Sequence, residues 1–217
     1  MFYLREDAHP EPRWLIVLAF LGGMSGVVFA LAGECLFVEF AYKTSCREGF
    51  AAGQHSVIGL FLGIAFIEEY AKYLAVKILV MRRREFDEPV DGMIYLMTSA
   101  MGFAAAENAM FLFPLLRENF LLGVELTTNR FLGANLLHAL ASGIVGFFLA
   151  RAWFSPRRHH FVAIGIIIAS VLHAVFNYFI LLKEETPQGL LYLILLLGVM
   201  AIVVLLDFER LRQQPPH

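Results

Sequence analysis

Long apolar runs alternate with short polar or helix-breaking clusters along this chain. The apolar runs cover Trp14 to Gly33, Val57 to Met81, Val90 to Leu116, Phe131 to Trp153, Phe161 to Leu182 and Leu190 to Leu206. A helix rises about 1.5 Å per residue and needs about 20 apolar residues to cross the hydrocarbon of a bilayer. The pattern therefore predicts six membrane-spanning helices. Arg82-Arg83-Arg84 followed by Pro89, Arg117-Glu118-Asn119, Ser155-Pro156-Arg157-Arg158 and Lys183 through Pro187 punctuate the runs. Between Glu34 and Ser56 two readings stand: an extension of the first helix, or a segment lying along the interface. There is no internal repeat, low-complexity tract or soluble domain, so residues 1–217 read as a single membrane-embedded domain with its polar motifs within 57–182.

Composition agrees with this class. Of 217 residues, 59% are apolar and 14% aromatic, as expected for an all-α, multi-pass bundle. The formal net charge of −2 says little, because the charges are gathered in the loops. No basic tail points to nucleic acid. Orientation follows from lysine and arginine in the flanks. With a cytoplasmic N terminus, the inner flanks hold Arg5, Arg13, Arg82, Arg83, Arg84, Arg151, Arg157, Arg158, Arg210 and Arg212, and the outer flanks Lys43, Arg47, Arg117, Arg130 and Lys183. Both termini are thus expected inside. A cleaved signal peptide is the competing reading of the first run, since Ala30-Leu31-Ala32 before Gly33 mimics a cleavage site; the length of the run and the acidic leader, Glu6, Asp7 and Glu11, argue against it. Cys35 and Cys46 fall in the first outer loop, where an oxidising compartment permits a bridge; two free thiols are the alternative.

The second run carries Glu68, Glu69 and Lys72 at its centre. One charge at the middle of a membrane helix costs roughly 2.5–3.5 kcal/mol on insertion scales, so three in five residues require a reason. Other polar residues share their depth. Counted from the outer ends of their spans, Glu68 and Glu69 lie roughly 17 Å deep, Glu107 and His173 roughly 14 Å, and His138 roughly 11 Å. Four helices therefore aim acid and imidazole groups at one layer in the outer half of the membrane.

Local spacing refines this. Lys72 is i+4 from Glu68 and i+3 from Glu69, so its ammonium can reach either carboxylate. Asn135, His138 and Ser142 occupy i, i+3 and i+7 on one helix face, and Ser170, His173 and Asn177 repeat the spacing on the next. Gly102, Ala104, Ala105 and Ala106 before Glu107, and Gly133, Ala134, Ala139, Ala141 and Gly143 around His138, allow close helix approach. Blander readings apply to several residues. Asn135 and Ser170 read as interhelical hydrogen-bond glue, Lys77 as a snorkelling lysine, the arginine triplet as a topology signal, and Tyr70 and Tyr73 as packing.

Desolvated carboxylates and imidazoles suit hydrolysis: a glutamate takes a proton from water, and imidazole or amide donors hold the developing oxyanion. Two histidines and a glutamate also form a zinc-ligand set, with a further glutamate as base. Spacing on separate helices leaves both versions open.

In order along four consecutive helices, Glu68-Glu69-Tyr-Ala-Lys72, Phe103-Ala-Ala-Ala-Glu107-Asn108, His138-Ala-Leu-Ala-Ser142 and His173-Ala-Val-Phe-Asn177 resemble the four motifs of PrsW-type intramembrane proteases. A lysine three residues after the second glutamate, rather than an arginine four after it, departs from the related CAAX-processing and bacteriocin-immunity branch. The resemblance implies a bacterial membrane peptidase whose best-known role is first-site cleavage of a membrane-anchored anti-sigma factor. It implies Glu68 as the residue activating water and Glu69 as its assistant. His138 and His173 would bind a metal, Zn2+, or polarise the carbonyl; Glu107 would ligate or orient a histidine; Asn177 would stabilise the oxyanion. Lys72, Ser142 and Asn108 are expected as charge or structural partners. Expected partners are the bilayer and a membrane-anchored protein, in the plasma membrane. A proton- or ion-coupled carrier is the main rival, although no inverted repeat supports it. A non-catalytic scaffold held together by the polar cluster is the other.

Overall fold

The computed structural model describes residues 11–46, 57–118, 120–186 and 188–213, with side chains described for all of these but 57, 114–118, 120–132, 184 and 185. Arg5, Glu6, Asp7, Arg47, Asn119, Pro187 and the end of the Glu34 to Ser56 stretch lie outside the described residues, as do the side chains of Arg117, Glu118 and Arg130. Among the described residues six helices follow one another: α1 (Arg13–Tyr42), α2 (Val57–Leu79), α3 (Asp91–Glu118), α4 (Phe120–Arg151), α5 (Arg158–Glu185) and α6 (Gln188–Arg212). No strand occurs among the described residues. Five of the helices are long and apolar enough to cross a membrane. The sixth, α2, has the length, but every 18-residue window of it contains Glu68, Glu69 and Lys72. The chain is a helical membrane bundle.

Of the two readings of the stretch after Gly33, extension of the first helix holds. Rather than ending at Gly33, α1 continues to Tyr42, where Lys43 turns into the left-handed region at φ 52° and its N–H closes on the Glu39 carbonyl. Cys35 therefore lies on a helix rather than in a loop. It is bridged to Cys46, with the two Cα atoms 4.8 Å apart, so the segment after α1 folds back along the helix end. The bridge marks one end of the bundle, called here the disulfide end. The other, the arginine end, carries Arg82, Arg83, Arg84, Arg151, Arg157, Arg158, Arg210 and Arg212.

Packing fixes the order of helices around the polar layer. α3 packs most extensively on α4 and α1, α2 on α1 and α5, while α6 covers α4 and α5. α1 and α3 cross in backbone contact: a Cβ at Gly23 would collide with the Ser99 carbonyl, and one at Gly102 with that of Phe20. Only glycine permits this approach. Toward the arginine end, Leu15, Ala19, Val76, Val80, Met93, Leu96 and Leu149 build much of a large apolar core. Nearer the disulfide end a smaller cluster, Val27, Ala30 and Phe103 with Ile67, Ala71 and Ala106, lines the inner face of α1. Large apolar side chains such as Val28, Phe29, Leu36, Phe40 and Val199 point outward, as a lipid-facing surface requires. Lys77 is exposed with its ammonium over the Tyr73 ring, and Tyr70 stacks on Phe66, in keeping with snorkelling and packing.

Candidate active site

Glu68, Glu69 and Lys72 sit on the inward face of α2 beside His138 and Ser142 of α4 and His173 of α5, and all six are buried. The two glutamates differ sharply in what surrounds them. Glu69 is fully engaged: Oε1 accepts from Lys72 Nζ at 2.7 Å and His173 Nδ1 at 3.1 Å, and Oε2 accepts from Ser142 Oγ at 3.0 Å. By contrast, Glu68 Oε2 is sealed from solvent and accepts no hydrogen bond. Its near neighbours are Lys72 Nζ at 3.7 Å, His173 Nε2 at 3.7 Å and His138 Nδ1 at 4.0 Å.

The hydrogen-bond network assigns both histidine tautomers. His138 Nε2 lies 2.9 Å from Glu107 Oε2, a carboxylate, so this nitrogen carries the proton and donates it. Nδ1 then accepts from the Lys72 ammonium at 2.6 Å. In the same way His173 donates Nδ1–H to Glu69, leaving the Nε2 lone pair toward Glu68. Each imidazole is thus held at one nitrogen by a carboxylate and presents the other toward the unpaired oxygen of Glu68. The rings stand at 86° with centroids 5.0 Å apart, and the Lys72 ammonium rests 4.6 Å from the centre of the Phe103 ring.

Three electron-pair donors, one each from Glu68, His138 and His173, therefore come within 4.8 Å of one another. Acceptor atoms repel in a low-dielectric interior unless a cation or a shared proton lies between them. Lys72 supplies part of this balance. A divalent ion also fits the set: a His2Glu triad is a zinc combination, and both histidines already have the carboxylate on the far nitrogen that orients metal-bound imidazoles. Glu107 approaches His138 at the ring edge opposite Glu68, so the two acids do not face the same point.

The remaining expected residues take varied places. Asn108 Nδ2 donates to Asn135 Oδ1 at 2.7 Å, tying α3 to α4 beside Glu107 and His138. Ser170 turns back to the Ile166 carbonyl at 2.7 Å and stays out of the cluster. Ser99 donates to the Lys72 carbonyl at 3.3 Å and steadies α2 against α3. Asn177 is half-buried one turn beyond His173 toward the disulfide end, and its side chain makes no hydrogen bond among the described residues. A buried acid that the apolar pattern concealed, Glu34 of α1, lies within electrostatic range of Glu107 and Lys72.

A helical membrane bundle that buries paired glutamates against two carboxylate-oriented histidines has the makings of a membrane-embedded hydrolase. Residues 11–206 match the model of the PrsW family, described as intramembrane metalloproteases. Protease PrsW of Geobacillus kaustophilus is 31% identical over 85% of this chain and 75% of its own length, and Protease PrsW of Bacillus subtilis 29% over 82% and 74%. Protease PrsW of Clostridioides difficile is 23% identical over 100% of this chain and 87% of its own length. No solved structure matches the chain. The chain belongs to the PrsW family and is an intramembrane protease, and its relatives named here are bacterial. The carrier and scaffold readings give way to a peptidase.

Proposed function

We propose that the chain cleaves a single-span protein of the bacterial plasma membrane near its extracytoplasmic end, with an anti-sigma factor as the expected kind of substrate. The arginine end then faces the cytoplasm and the disulfide end the exterior, where a bridge persists. The observation carrying this reading is the contrast within the glutamate pair: Glu69 is saturated with donors, while Glu68 keeps a buried oxygen without a hydrogen bond, 3.7 Å from the free Nε2 of His173. Such an oxygen is a ready acceptor for a proton of water, and hydrolysis needs one.

In this mechanism Glu68 takes the proton as water attacks the scissile carbonyl. Glu69 stays ionised between Lys72, Ser142 and His173 and holds His173 in the tautomer that keeps Nε2 free. Glu107 does the same for His138 through Nε2, which makes it an orienting residue rather than a ligand. Asn177, with an amide uncommitted among the described residues, is placed to donate to the oxyanion, and Glu68 returns its proton to the leaving amine. A zinc ion would be held by His138 and His173, with Glu68 beside it as the base, and would supply Lewis acidity to the water and the carbonyl. Lys72 keeps Glu69 as its partner in either case.

Purified protein offered a single-span peptide with an extracytoplasmic juxtamembrane site tests the reading. Cleavage by the wild type and none by Glu68→Gln, at equal expression and thermal stability, is expected. Cleavage by Glu68→Gln at the wild-type rate would remove Glu68 from the chemistry.

A further inference from the structure

The face that α1 turns to the bundle is built from Leu15, Ala19, Gly22, Gly23, Gly26, Val27, Ala30, Glu34 and Val38. All but Glu34 are apolar or small. A carboxyl on an apolar face at membrane depth is expensive and asks for a function. Its position follows from its neighbours. α1 runs antiparallel to α2: Gly26 lies near the Ala71 carbonyl, Gly33 near the Ile67 side chain, and Phe37 against Gly63. Glu34 therefore enters beside Ile67, next to Glu68. α1 and α3 run the same way, with Ala30 clustered with Phe103 and Ala106, so the next turn of α1 brings Glu34 to the level of Glu107. Electrostatic coupling of Glu34 to Glu107 and Lys72 agrees with this placement.

Glu34 is 7% exposed, yet its side chain makes no hydrogen bond among the described residues. Unlike Glu68 Oε2, its oxygens are not sealed from solvent. Lys72, the nearby cation, is already bonded to Glu69 and His138. Glu107 adds a second carboxylate on this side, with its side chain 30% exposed. The side of the site toward the disulfide end is therefore acidic, and Glu34 brings to it a buried acceptor without a hydrogen-bonding partner among the described residues.

We propose that Glu34 is a specificity-determining residue that receives a lysine or arginine side chain, placed in the substrate just outside the scissile bond. This rests on the protease reading above and adds a substrate class: single-span proteins with a basic residue at the extracytoplasmic edge of the membrane. A cation drawn to this depth would lose much of its hydration, and a carboxylate that accepts no hydrogen bond from the described residues offsets that loss. The same contact fixes how far the substrate helix descends, and so which peptide bond reaches Glu68.

Binding separates this proposal from the chemistry. In the Glu68→Gln background, single-span peptides with Lys, Gln or Glu at the juxtamembrane position are titrated by fluorescence anisotropy. The Lys peptide is expected to bind about tenfold more tightly than the Gln peptide, a modest ion-pair preference. The preference should vanish in Glu68→Gln/Glu34→Gln and persist in part in Glu68→Gln/Glu34→Asp, with the Glu peptide weakest until Glu34 is neutralised. Equal affinity for Lys and Gln peptides before Glu34 is changed, or an undiminished Lys preference after its neutralisation, would overturn the proposal. Cleavage of the same peptides by the wild type reports separately on the protease reading, because binding is measured without turnover. Should Glu34→Gln fail to fold, the ranking of the three peptides with Glu34 intact decides alone.

Discussion

Two buried acid clusters lie at different heights in this bundle, and only one is built for chemistry. At the arginine end, Glu11 precedes α1 and accepts from the Tyr95 hydroxyl, while Asp91 at the start of α3 accepts from the backbone N–H groups of Asp87 and Glu88 at 2.9 Å each. Its acceptors are answered by donors from the adjacent turn and a neighbouring helix, and the cluster ties the N-terminal ends of two helices together. In the layer nearer the disulfide end, Glu69 is answered in the same way, but Glu68 is not. Burial of acids is common to both regions. Convergence of acceptor atoms from Glu68, His138 and His173, with the Glu68 oxygen bonded to none, belongs to one.

Substitutions sharpen this contrast, beginning with the largest effect. Glu68→Gln removes the unpaired acceptor and should lower cleavage of a single-span substrate by about 10²–10⁴-fold, while leaving thermal stability within about 1 kcal/mol of wild type. Glu69→Gln breaks a buried, multiply bonded carboxylate and should cost about 3–5 kcal/mol in detergent unfolding, with cleavage lost as well. Wild-type stability in Glu69→Gln would erase the distinction between the two glutamates. Ser142→Ala takes one donor from Glu69, and about 1.5–3 kcal/mol of stability should go with it, alongside a partial loss of activity through His173. Tyr95→Phe, in the other cluster, should cost only about 1 kcal/mol and leave kcat/KM within a few-fold. A large loss of turnover in Tyr95→Phe at preserved stability would show that the arginine-end cluster takes part in the reaction.

Depth made much of the site legible. Counting residues from span ends places Glu68, Glu69, Glu107, His138 and His173 in one layer, and the structure brings them together because α2 to α5 are near-continuous helices with fixed rise. Lys72 was legible as a partner of either glutamate; geometry gives it to Glu69 first, at 2.7 Å against 3.7 Å for Glu68. What spacing on one helix cannot convey is the partner across the interface. Ser142 lies one turn from His138 yet bonds Glu69, and Ser170, one turn from His173, bonds its own helix instead. Glu34 was hidden for another reason. The apolar run ends at Gly33, so Glu34 falls beyond the counted depth even where the helix is read as extending past it, and α1 does continue to Tyr42 with Val38 still packed inward. The acid cluster at the arginine end escaped because Glu11 lies before the first run and Asp91 at the start of the third, far apart along the chain. Their meeting is a tertiary event.

The zinc content of purified wild-type protein and of His173→Ala, by elemental analysis beside cleavage of one single-span substrate, tests the converging lone pairs most directly. About one zinc per active chain is expected, with both zinc and cleavage lost in His173→Ala. Undiminished cleavage by a zinc-free preparation, or by His173→Ala, would contradict the account.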